Sequence, residues 1–556
     1  MTMLDDPQVF IPDLIANHAR FQPLKEAVVC GEVRRNWGDF DRAISRIANA
    51  LVAQGIGRGD KVAVLMGNCV EMLEAVFGIV RAGACAVPLS GLLTGPQLAG
   101  LIDDSGAVGA FATADFRARL DALDALPLGL RQGLLIAVDA TPAGVATGEA
   151  LSGSISGLIS GSLSGVISGV ISGSISGSWR TLADFVEGAA DTQPVVNYRL
   201  DDAFNIIYSS GTTGLPKGIV QTHRARLHWA FSNAIEMGFR DTSRALTTTS
   251  LYSNGTWLMM LPVLFTGGTL VAMPSFDAGR FLALLGAERI THTFMVPSQF
   301  IMVLADPRLA QADSSRLETI LCGGSPLRSD TKREVIETFG NKLTELYGFS
   351  EGFATMLKPW HSASKFDSVG TPVLGFEIRI LDEAGRSLPR GEIGEIASYG
   401  AGMMQGYHGK PEETAKLIWR DERGRTFIRS GDVGRLDEDG FLSILDRKKD
   451  MIISGGFNVF PSDLEQVVGE HPAVRDVTVI GVPHDRWGET ALALVIAHPG
   501  SDADPAAILA WANQRLGKHQ RLAGVELLDD FPRNALGKVL KRELREPYWT
   551  AAGRTL

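Results

Sequence analysis

Residues 208–218 read Y-S-S-G-T-T-G-L-P-K-G and follow an apolar run, Phe204 to Tyr208, that predicts a buried strand. The three glycines let the backbone approach a ligand, so that successive N–H groups can point into one concavity. Four hydroxyl side chains and the cation of Lys217 supply further donors. The stretch therefore predicts a binding loop for an anionic, oxygen-rich ligand such as a triphosphate. It is not a P-loop, because Gly218 rather than Ser or Thr follows the lysine; the alternative is a flexible Gly/Ser turn.

Helical and strand patterns alternate on both sides of this loop. Before it, the predicted elements are a helix over Asp39 to Gln54, a strand over Lys61 to Met66, a helix over Val70 to Arg81 and a strand over Ala84 to Leu89. This alternation predicts a large α/β domain with layered, mostly parallel sheets. Short strands from Val369 to Arg447 predict a small β-rich subdomain, and a smaller α+β domain follows. We place the boundary in the charged run 446–450, which gives domains of residues 1–447 and 448–556.

Residues 152–179 are seven tandem copies of a four-residue unit, beginning S-G-S-I and ending S-G-S-W. No charged residue occurs between Glu149 and Arg180, which raises the question of a membrane span. Ser and Gly make up 18 of the 27 residues from 152 to 178, and that composition argues against a span. A loop costs little additional free energy as it lengthens. We therefore expect a disordered insert in a surface loop; self-association through its Ile and Ser residues is the alternative.

Composition excludes several classes of protein. The chain has 556 residues and 45% hydrophobic residues, as expected of a soluble protein with two or more domains. Its net charge of −10, with acidic and basic residues interleaved, argues against a nucleic-acid partner and against stable membrane association. The scattered cysteines lack a C-x-x-C pair and predict reduced core residues in a cytoplasmic protein; they are Cys30, Cys69, Cys85 and Cys322. No signal peptide is indicated at the N-terminus.

Two further motifs offer groups for a nucleotide. Residues 347–351, Y-G-F-S-E, combine an aromatic ring, a tight turn, a hydroxyl and a carboxylate, which suits purine stacking and Mg²⁺ binding through Glu351. Taken alone, this motif is better explained as a strand-end turn with a solvated glutamate. Ser430-Gly431-Asp432 presents a carboxylate in a tight turn, and a carboxylate holds the ribose hydroxyls in many nucleotide sites.

These motifs and a fourth, P-R-N-A-L-G-K-V-L-K-R-E-L at residues 532–544, resemble those of the adenylate-forming enzymes. The chain is most similar to their acyl- and aryl-CoA synthetase branch, the AMP-forming acid–CoA ligases, from about residue 10 to about residue 545 apart from the insert. The resemblance implies a small C-terminal domain that turns about a hinge at Lys449 between two half-reactions. It implies ATP, Mg²⁺ and coenzyme A as cofactors and a small carboxylic acid as substrate. A homodimer is a further expectation.

The resemblance also assigns roles to individual residues. The expected catalytic residues are Lys538, Glu351, Thr212 and Lys217, with Glu351 as the metal ligand. The expected nucleotide- and CoA-binding residues are Ser209, Ser210, Gly211, Thr212, Thr213, Lys217, Gly324, Ser325, Tyr347, Gly348, Ser350, Asp432, Arg447, Lys449, Gly455 and Gly456. The expected acid-binding residues are Trp229, Tyr252, Ser253, Asn254, Gly323 and Phe349. Without the motifs, Arg447 and Lys538 would be interpreted as solvated surface charges.

The implied mechanism has two steps. An acid and MgATP give an acyl adenylate and pyrophosphate, and the CoA thiol then displaces AMP from the acyl carbon. The first step brings two anions together, the attacking carboxylate and the α-phosphate. An ammonium group at Lys538 would bridge them and stabilise the charge of the transition state.

The identity of the acid is less constrained. Leu251-Tyr252 stands where many family members have a Phe-His pair, and Ile453 stands where plant coumarate ligases have a lysine. The segment 251–257 has no acidic residue, which argues against an amino-acid substrate. Medium- or long-chain fatty acids and arylpropenoic acids of the coumarate or ferulate kind both fit an apolar pocket with a few hydroxyls. An adenylation enzyme that loads a carrier protein is the alternative function.

Overall fold

The computed structural model describes residues 8–139, 179–209, 216–361, 363–454, 457–518, 520–533 and 538–553, without the side chains of residues 457 and 458. Most of the Y-S-S-G-T-T-G-L-P-K-G loop, with Ser210, Gly211, Thr212 and Thr213, lies outside these residues. Gly455 and Gly456, and the predicted insert as far as residue 178, also lie outside them.

Helices occur throughout the described residues. They are α1 (Ile11–Phe21), α2 (Trp37–Ala53), α3 (Val70–Arg81), α4 (Gly95–Ser105), α5 (Ala114–Asp121), α6 (Leu182–Phe185), α7 (His223–Met237), α8 (Asn254–Thr266), α9 (Ala278–Ala287), α10 (Pro297–Leu304), α11 (Ser329–Phe339), α12 (Pro411–Ala415), α13 (Pro461–Gly469), α14 (Pro505–Arg515) and α15 (Lys541–Ala551). None of them is long and apolar enough to span a bilayer.

Strands alternate with these helices and become denser after α11. They are β1 (Glu26–Cys30), β2 (Val33–Asn36), β3 (Lys61–Leu65), β4 (Cys85–Pro88), β5 (Gly109–Ala112), β6 (Leu134–Ala137), β7 (Arg180–Thr181), β8 (Ala203–Ser209), β9 (Lys217–Thr222), β10 (Arg244–Thr247), β11 (Thr269–Ala272), β12 (His292–Met295), β13 (Thr319–Cys322), β14 (Leu343–Phe349), β15 (Phe353–Leu357), β16 (Thr371–Pro372), β17 (Phe376–Leu381), β18 (Gly394–Gly400), β19 (Gly406–Tyr407), β20 (Ile418–Arg420), β21 (Thr426–Leu436), β22 (Leu442–Arg447), β23 (Ile452–Ser454), β24 (Phe457–Val459), β25 (Val474–His484), β26 (Gly488–Ala497) and β27 (Leu522–Leu527).

The first of two compact units comprises Met1–Ile206, Ser250–Tyr252 and Thr269–Ser275. Its larger sheet is parallel, in the order β8-β4-β3-β5-β6-β7. Such strands are covered on both faces, and β3, β4 and β5 are accordingly almost continuously buried. Helices α2 and α3 pack closely because Gly78 has no side chain; a Cβ there would lie 2.5 Å from Ile47 Cγ2.

Residues 140–178 connect β6 to β7, which are neighbouring parallel strands with Ile136 opposite Arg180. Beside β7, the indole N–H of Trp179 donates to Asp121 Oδ1 at 3.1 Å. The tandem repeat therefore occupies a connection at the edge of the sheet, after the strands that form its centre.

The second unit comprises Ile207–Thr249, Ser253–Gly268 and Phe276–Leu556. One sheet has the order β10-β12-β13-β14-β15-β16, parallel as far as β14 and antiparallel beyond it. A second, antiparallel sheet has the order β17-β18-β21-β20, with β22 paired to β21. Strands β9 and β19 pair antiparallel in this unit.

The C-terminal segment of this unit is a five-stranded sheet with its own core. Its order is β24-β23-β26-β25, with β27 parallel to β26. Helices α13 and α14 bury Leu464, Val468, Ile508 and Ala512 against one face. A second apolar cluster packs Phe531 against Ile480 of β25 and Leu494 of β26.

The predicted fold class is confirmed: mixed α/β layers are followed by a smaller α+β segment. The helix predicted over residues 70–81 is α3, and the strand predicted from Phe204 to Tyr208 lies within β8. The domain boundary between residues 447 and 448 remains a prediction. Helix α8, which begins at Asn254, has no counterpart among the predicted elements.

Candidate active site

Tyr347, Asp432 and Arg447 meet at the end of two sheets in the second unit. The Tyr347 hydroxyl donates to Asp432 Oδ2 at 2.6 Å, and Arg447 Nε lies 3.3 Å from Asp432 Oδ1. Asp432 is 5% exposed, so this carboxylate is held almost out of water by two donors. Burial and the adjacent Asp432 carboxylate raise the pKa of Tyr347 well above its usual value, which keeps the phenol protonated as a donor.

The local backbone explains why the three groups converge. Asp432 and Arg447 are directly opposite each other on β21 and β22. Gly431 has φ = 73°, a left-handed conformation that glycine adopts without strain, and the Asp432 N–H donates to Ser430 Oγ at 3.0 Å. The S-G-D turn therefore fixes the carboxylate before any ligand binds.

Lys538 and Lys449 share the electrostatic environment of this carboxylate. Burial lowers the pKa of Lys538 to about 8, and Arg447 adds repulsion that Asp432 and Asp450 partly offset. Burial also lowers the pKa of Lys449, again with Arg447 as the next cause. The carbonyl of Lys449 accepts a hydrogen bond from Arg545 Nη1 at 3.1 Å. Three cations thus surround Asp432, which forms a site suited to a ligand with more than one negative charge.

Glycines beside Tyr347 allow close approach of backbone segments. A Cβ on Gly348 would lie 2.3 Å from the carbonyl oxygen of Phe353 on the neighbouring strand β15. Gly324 has φ = 94°, and a Cβ on Gly323 would lie 3.1 Å from the carbonyl oxygen of Leu346. The backbone of the G-G-S segment, which ends at Ser325, therefore packs closely against the backbone at the start of the Y-G-F-S-E motif.

Glu351 and Lys217 form a second cluster around Tyr407. The Tyr407 hydroxyl donates to Glu351 Oε1 at 2.6 Å, and Lys217 Nζ lies 4.9 Å from the centre of the Tyr407 ring. Lys217 Nζ also donates to Glu413 Oε2 at 2.8 Å. The pairing of β19 with β9 produces this arrangement, because Tyr407 is opposite Ile219, two residues from Lys217.

The donor set around Glu351 fits Mg²⁺ that arrives with a nucleotide. Mg²⁺ is usually held by one or two carboxylates together with substrate phosphates, and an oriented carboxylate such as Glu351 supplies the protein's share. The described residues contain no group of three or more His, Cys, Asp and Glu that would hold a metal by themselves. Gln221 donates to the Ser350 carbonyl at 3.0 Å and so helps to hold the turn that bears Glu351.

Aromatic side chains on α7 and β17 form a third cluster. Trp229 is 7% exposed, its indole N–H donates to the Gly402 carbonyl at 2.9 Å, and its ring lies 5.6 Å from that of Phe376. Phe353 contacts both Phe376 and the predicted acid-binding residue Phe349. This cluster is a buried aromatic core around Trp229, and a role for Trp229 and Phe349 in binding the acid remains a prediction.

Asn254 begins α8 and accepts a hydrogen bond from Arg226 Nη2 at 2.8 Å. Ser253 immediately precedes it as the residue that starts the helix. Tyr252 belongs to the first unit, next to Leu251, whose backbone N–H donates to Asn68 Oδ1 at 2.8 Å.

The sequence-based assignments divide into three groups. The structure brings Tyr347, Asp432, Arg447, Lys449 and Lys538 together, and it places Glu351 near Lys217. The six assignments on Ser210, Gly211, Thr212, Thr213, Gly455 and Gly456 lie outside the described residues, and Ser209 ends β8 just before them. Sequence reasoning missed Tyr407, Glu413 and Arg226, because none of them stands in one of the four motifs.

Comparison with known proteins gives two family matches. Residues 15–408 match the model of the AMP-binding enzymes, and residues 463–538 match that of the AMP-binding enzyme C-terminal domain. Lys217, Tyr347, Glu351 and Tyr407 fall within the first match, and Lys538 is the last residue of the second.

Full-length relatives and solved structures agree with these matches. The chain is 34% identical to a feruloyl-CoA synthase of Amycolatopsis sp, covering 95% of this chain and 97% of the relative. It is 30% identical to the long-chain-fatty-acid–CoA ligase FadD13 of Mycobacterium tuberculosis, covering 96% and 98%. The structure of ATP-bound MatB from Rhodopseudomonas palustris superposes with a TM-score of 0.81 at 28% identity, covering 97% of this chain and 99% of that one.

Proposed function

Because the chain belongs to the family of AMP-binding enzymes, we propose that its second unit binds ATP and activates a carboxylic acid for transfer to coenzyme A. The chain is an AMP-forming acid–CoA ligase: acid and ATP give acyl-AMP and pyrophosphate, and CoA then gives acyl-CoA and AMP. The observation that carries the assignment of the site is the buried Asp432 carboxylate, held by Tyr347 and Arg447.

In the proposed first half-reaction, Asp432 accepts hydrogen bonds from the ribose hydroxyls and the Tyr347 ring stacks on adenine. Lys538 bridges the attacking carboxylate and the α-phosphate, because an ammonium group offsets the repulsion between two anions. Lys217 and the hydroxyls of Ser209, Ser210, Thr212 and Thr213 bind the outgoing phosphates. Glu351 would hold Mg²⁺, and the ion would supply positive charge that offsets the charge of the phosphates.

In the proposed second half-reaction, the segment after the hinge at Lys449 turns, and Lys538 leaves the reacting atoms. Gly455 and Gly456 then lie along the pantetheine arm of CoA, since glycine permits the close approach that a narrow thiol arm needs. The thiol attacks the acyl carbon, the bond between that carbon and the AMP oxygen breaks, and AMP leaves.

We propose a medium- or long-chain fatty acid or an arylpropenoic acid as the substrate, which would bind near Trp229, Ser253, Asn254, Gly323 and Phe349. The relatives named for feruloyl-CoA and long-chain acyl-CoA synthesis support both classes. A cytoplasmic location is supported by four buried cysteines, none of which forms a disulfide with another described residue. A homodimer stays a prediction, which light scattering of the purified protein would test.

The decisive experiment incubates the purified protein with MgATP, with and without CoA, and with octanoate, palmitate, 4-coumarate, ferulate or benzoate. We expect AMP and a thioester to form together, and only with CoA present. The matched variant Asp432→Asn removes the charge that Tyr347 and Arg447 hold and should raise KM for ATP. Pyrophosphate exchange without any thioester would contradict CoA as the acceptor and favour a carrier protein.

A further inference from the structure

Arg226 is a buried cation on the helix that bears Trp229. It is 3% exposed and lies on α7, with its guanidinium carbon 4.5 Å from the centre of the Trp257 ring. Trp257 is itself 2% exposed. Burial lowers the pKa of Arg226 to about 9, and at neutral pH the guanidinium therefore still carries its charge. A charge so far from water is energetically costly, and such groups are rarely retained in an apolar core.

The position of Arg226 links it to the predicted acid pocket. Its Nη2 donates to Asn254 Oδ1, and Asn254 is followed by Gly255. A Cβ on Gly255 would lie 2.7 Å from Phe294 Cε1, and a Cβ on Gly323 would lie 3.5 Å from Phe294 Cε2. The backbones of both glycines therefore pack directly against the buried Phe294 ring, and Gly255 follows the residue that accepts the hydrogen bond from Arg226.

A second polar group lies on the same face of α7. Asn233 is seven residues after Arg226, and seven residues in an α-helix return to nearly the same face two turns later. Its side chain is fully buried, and neither amide atom has a hydrogen-bond partner among the residues that the structure describes. Buried amides are normally satisfied, so this face has hydrogen-bonding capacity that a polar ligand or ordered water would use.

We infer that Arg226, oriented by Asn254, is a specificity-determining residue that selects aromatic acids with a ring oxygen at the end opposite the reacting carboxylate. The inference rests on the proposed function and narrows its two substrate classes to the arylpropenoic one. A guanidinium donates a charge-assisted hydrogen bond to a phenolic or methoxy oxygen, whereas an alkyl chain end offers no acceptor. An acid without the oxygen would leave that additional hydrogen bond unmade.

The test compares acids that differ by one oxygen. We would measure kcat/KM for thioester formation with 4-coumarate, cinnamate and octanoate, for the wild type and for Arg226→Leu. The wild type should prefer 4-coumarate to cinnamate by about 10- to 100-fold, the range expected for one hydrogen bond to a charged group. Arg226→Leu should reduce this ratio to within about threefold, through loss of activity on 4-coumarate and not on cinnamate.

The matched control is Arg224→Leu, the same substitution two residues earlier on the exposed side of α7, which should keep the wild-type ratio. Arg226→Lys and Asn254→Ala keep the test informative if Arg226→Leu does not fold, because each should lower the ratio while the other packing remains. A merely structural role of Arg226 would lower both activities together and leave the ratio unchanged.

The outcomes separate the inference from the function it rests on. Thioester from any of the acids, with a ratio near one in the wild type or an unchanged ratio in Arg226→Leu, would overturn the inference and leave the proposed function standing. Absence of CoA-dependent AMP with every acid would contradict the proposed function, and the inference would fall with it.

Discussion

At the scale of single residues, the charge on Lys538 should control the first half-reaction. Burial lowers its pKa to about 8, and Arg447 repels its proton further, against the opposite effect of Asp432 and Asp450. The ammonium form predominates below that pKa and is lost as pH rises through it. The unprotonated amine cannot bridge a carboxylate and an α-phosphate.

We therefore expect kcat/KM for ATP–pyrophosphate exchange without CoA to fall about tenfold per pH unit above pH 8. Omitting CoA isolates the first half-reaction from ionisation of the thiol. In Lys538→Arg the guanidinium stays charged, so the rate should be lower overall but without this fall. A fall that persists in Lys538→Arg would assign the titration to another group.

Tyr407 should act as a positioning residue for Glu351. Its hydroxyl donates to Glu351 Oε1 at 2.6 Å, and such outer-shell partners orient a metal-binding carboxylate. Tyr407→Phe should raise the Mg²⁺ concentration for half-maximal exchange by about tenfold, with a rate near that of the wild type at saturating Mg²⁺. Tyr399→Phe, at an exposed tyrosine on β18, is the control and should change neither value. Equal Mg²⁺ requirements in the two variants would exclude this role.

The sequence could predict those residues that stand in a motif whose neighbouring side chains together suggest a chemical role. Tyr347, Asp432 and Lys538 each stand in such a motif. In the structure, Tyr347 and Lys538 both interact with the Asp432 carboxylate. Tyr407 and Arg226 could not be predicted, because neither stands in such a motif, and their partners are 56 and 28 residues away in sequence. Strand pairing and helix packing alone bring these side chains to Glu351 and Asn254.

At the scale of elements, α2 and α8 show what an apolar pattern can and cannot predict. Helix α2 was predicted because Phe40, Ile44, Ile47 and Leu51 recur on one face, and all four are buried. Helix α8 is buried on nearly every side, so its sequence has no helical periodicity, and Pro262 lies within it. Tertiary packing, and not local pattern, determines that helix.

The packing of α15 depends on a pair of charges. Lys541 Nζ lies 2.7 Å from Glu465 Oε1 on α13, and Glu465 also accepts from the N–H of Val479 on β25. Burial opposes the charge of Lys541, but Glu465, Asp446 and Asp450 together raise its pKa. Glu465 therefore connects the helix that follows Lys538 to the sheet of the C-terminal segment.

We expect Glu465→Gln and Lys541→Met each to lower the free energy of unfolding by about 1–3 kcal/mol, because each leaves one partly buried charge without its partner. In urea unfolding at pH 7, the double variant should lose less than the sum of the two. Asp382→Asn, in the exposed pair with Arg386, is the control and should cost under about 0.5 kcal/mol. Additive losses in the double variant would show that the two charges do not interact.

At the scale of the whole molecule, several contacts between described residues across the predicted boundary at residues 447 and 448 are polar. Lys448 Nζ lies 3.1 Å from Glu395 Oε2, and Arg328 Nη2 donates to the Gly469 carbonyl at 3.1 Å. Half-exposed polar contacts contribute little stability and can exchange with water. The C-terminal segment also has its own core, so it keeps its fold without these contacts. Both properties are what a segment that turns between half-reactions needs.

The hinge itself gives the sharpest test of this motion. Lys449 lies in a turn after β22, where the Asp450 and Met451 N–H groups donate to the Arg447 carbonyl. Proline would fix φ at residue 449 near −65° and so restrict the dihedral change that a hinge requires. Lys449→Pro should retain ATP–pyrophosphate exchange within about threefold and lose thioester formation by about a hundredfold or more.

Lys449→Ala removes the side chain and keeps the backbone free, so it should retain both half-reactions within about tenfold. Rapid quench with preformed acyl adenylate measures the second step alone. If proline and alanine reduce thioester formation equally, the side chain of Lys449 matters and the backbone does not turn there. If proline abolishes exchange as well, the loss lies in the nucleotide site, because residue 449 is only two positions from Arg447 and shares its electrostatic field. Loss of the second step alone is the result that requires a turn at this residue, because retained exchange shows that the nucleotide site still works.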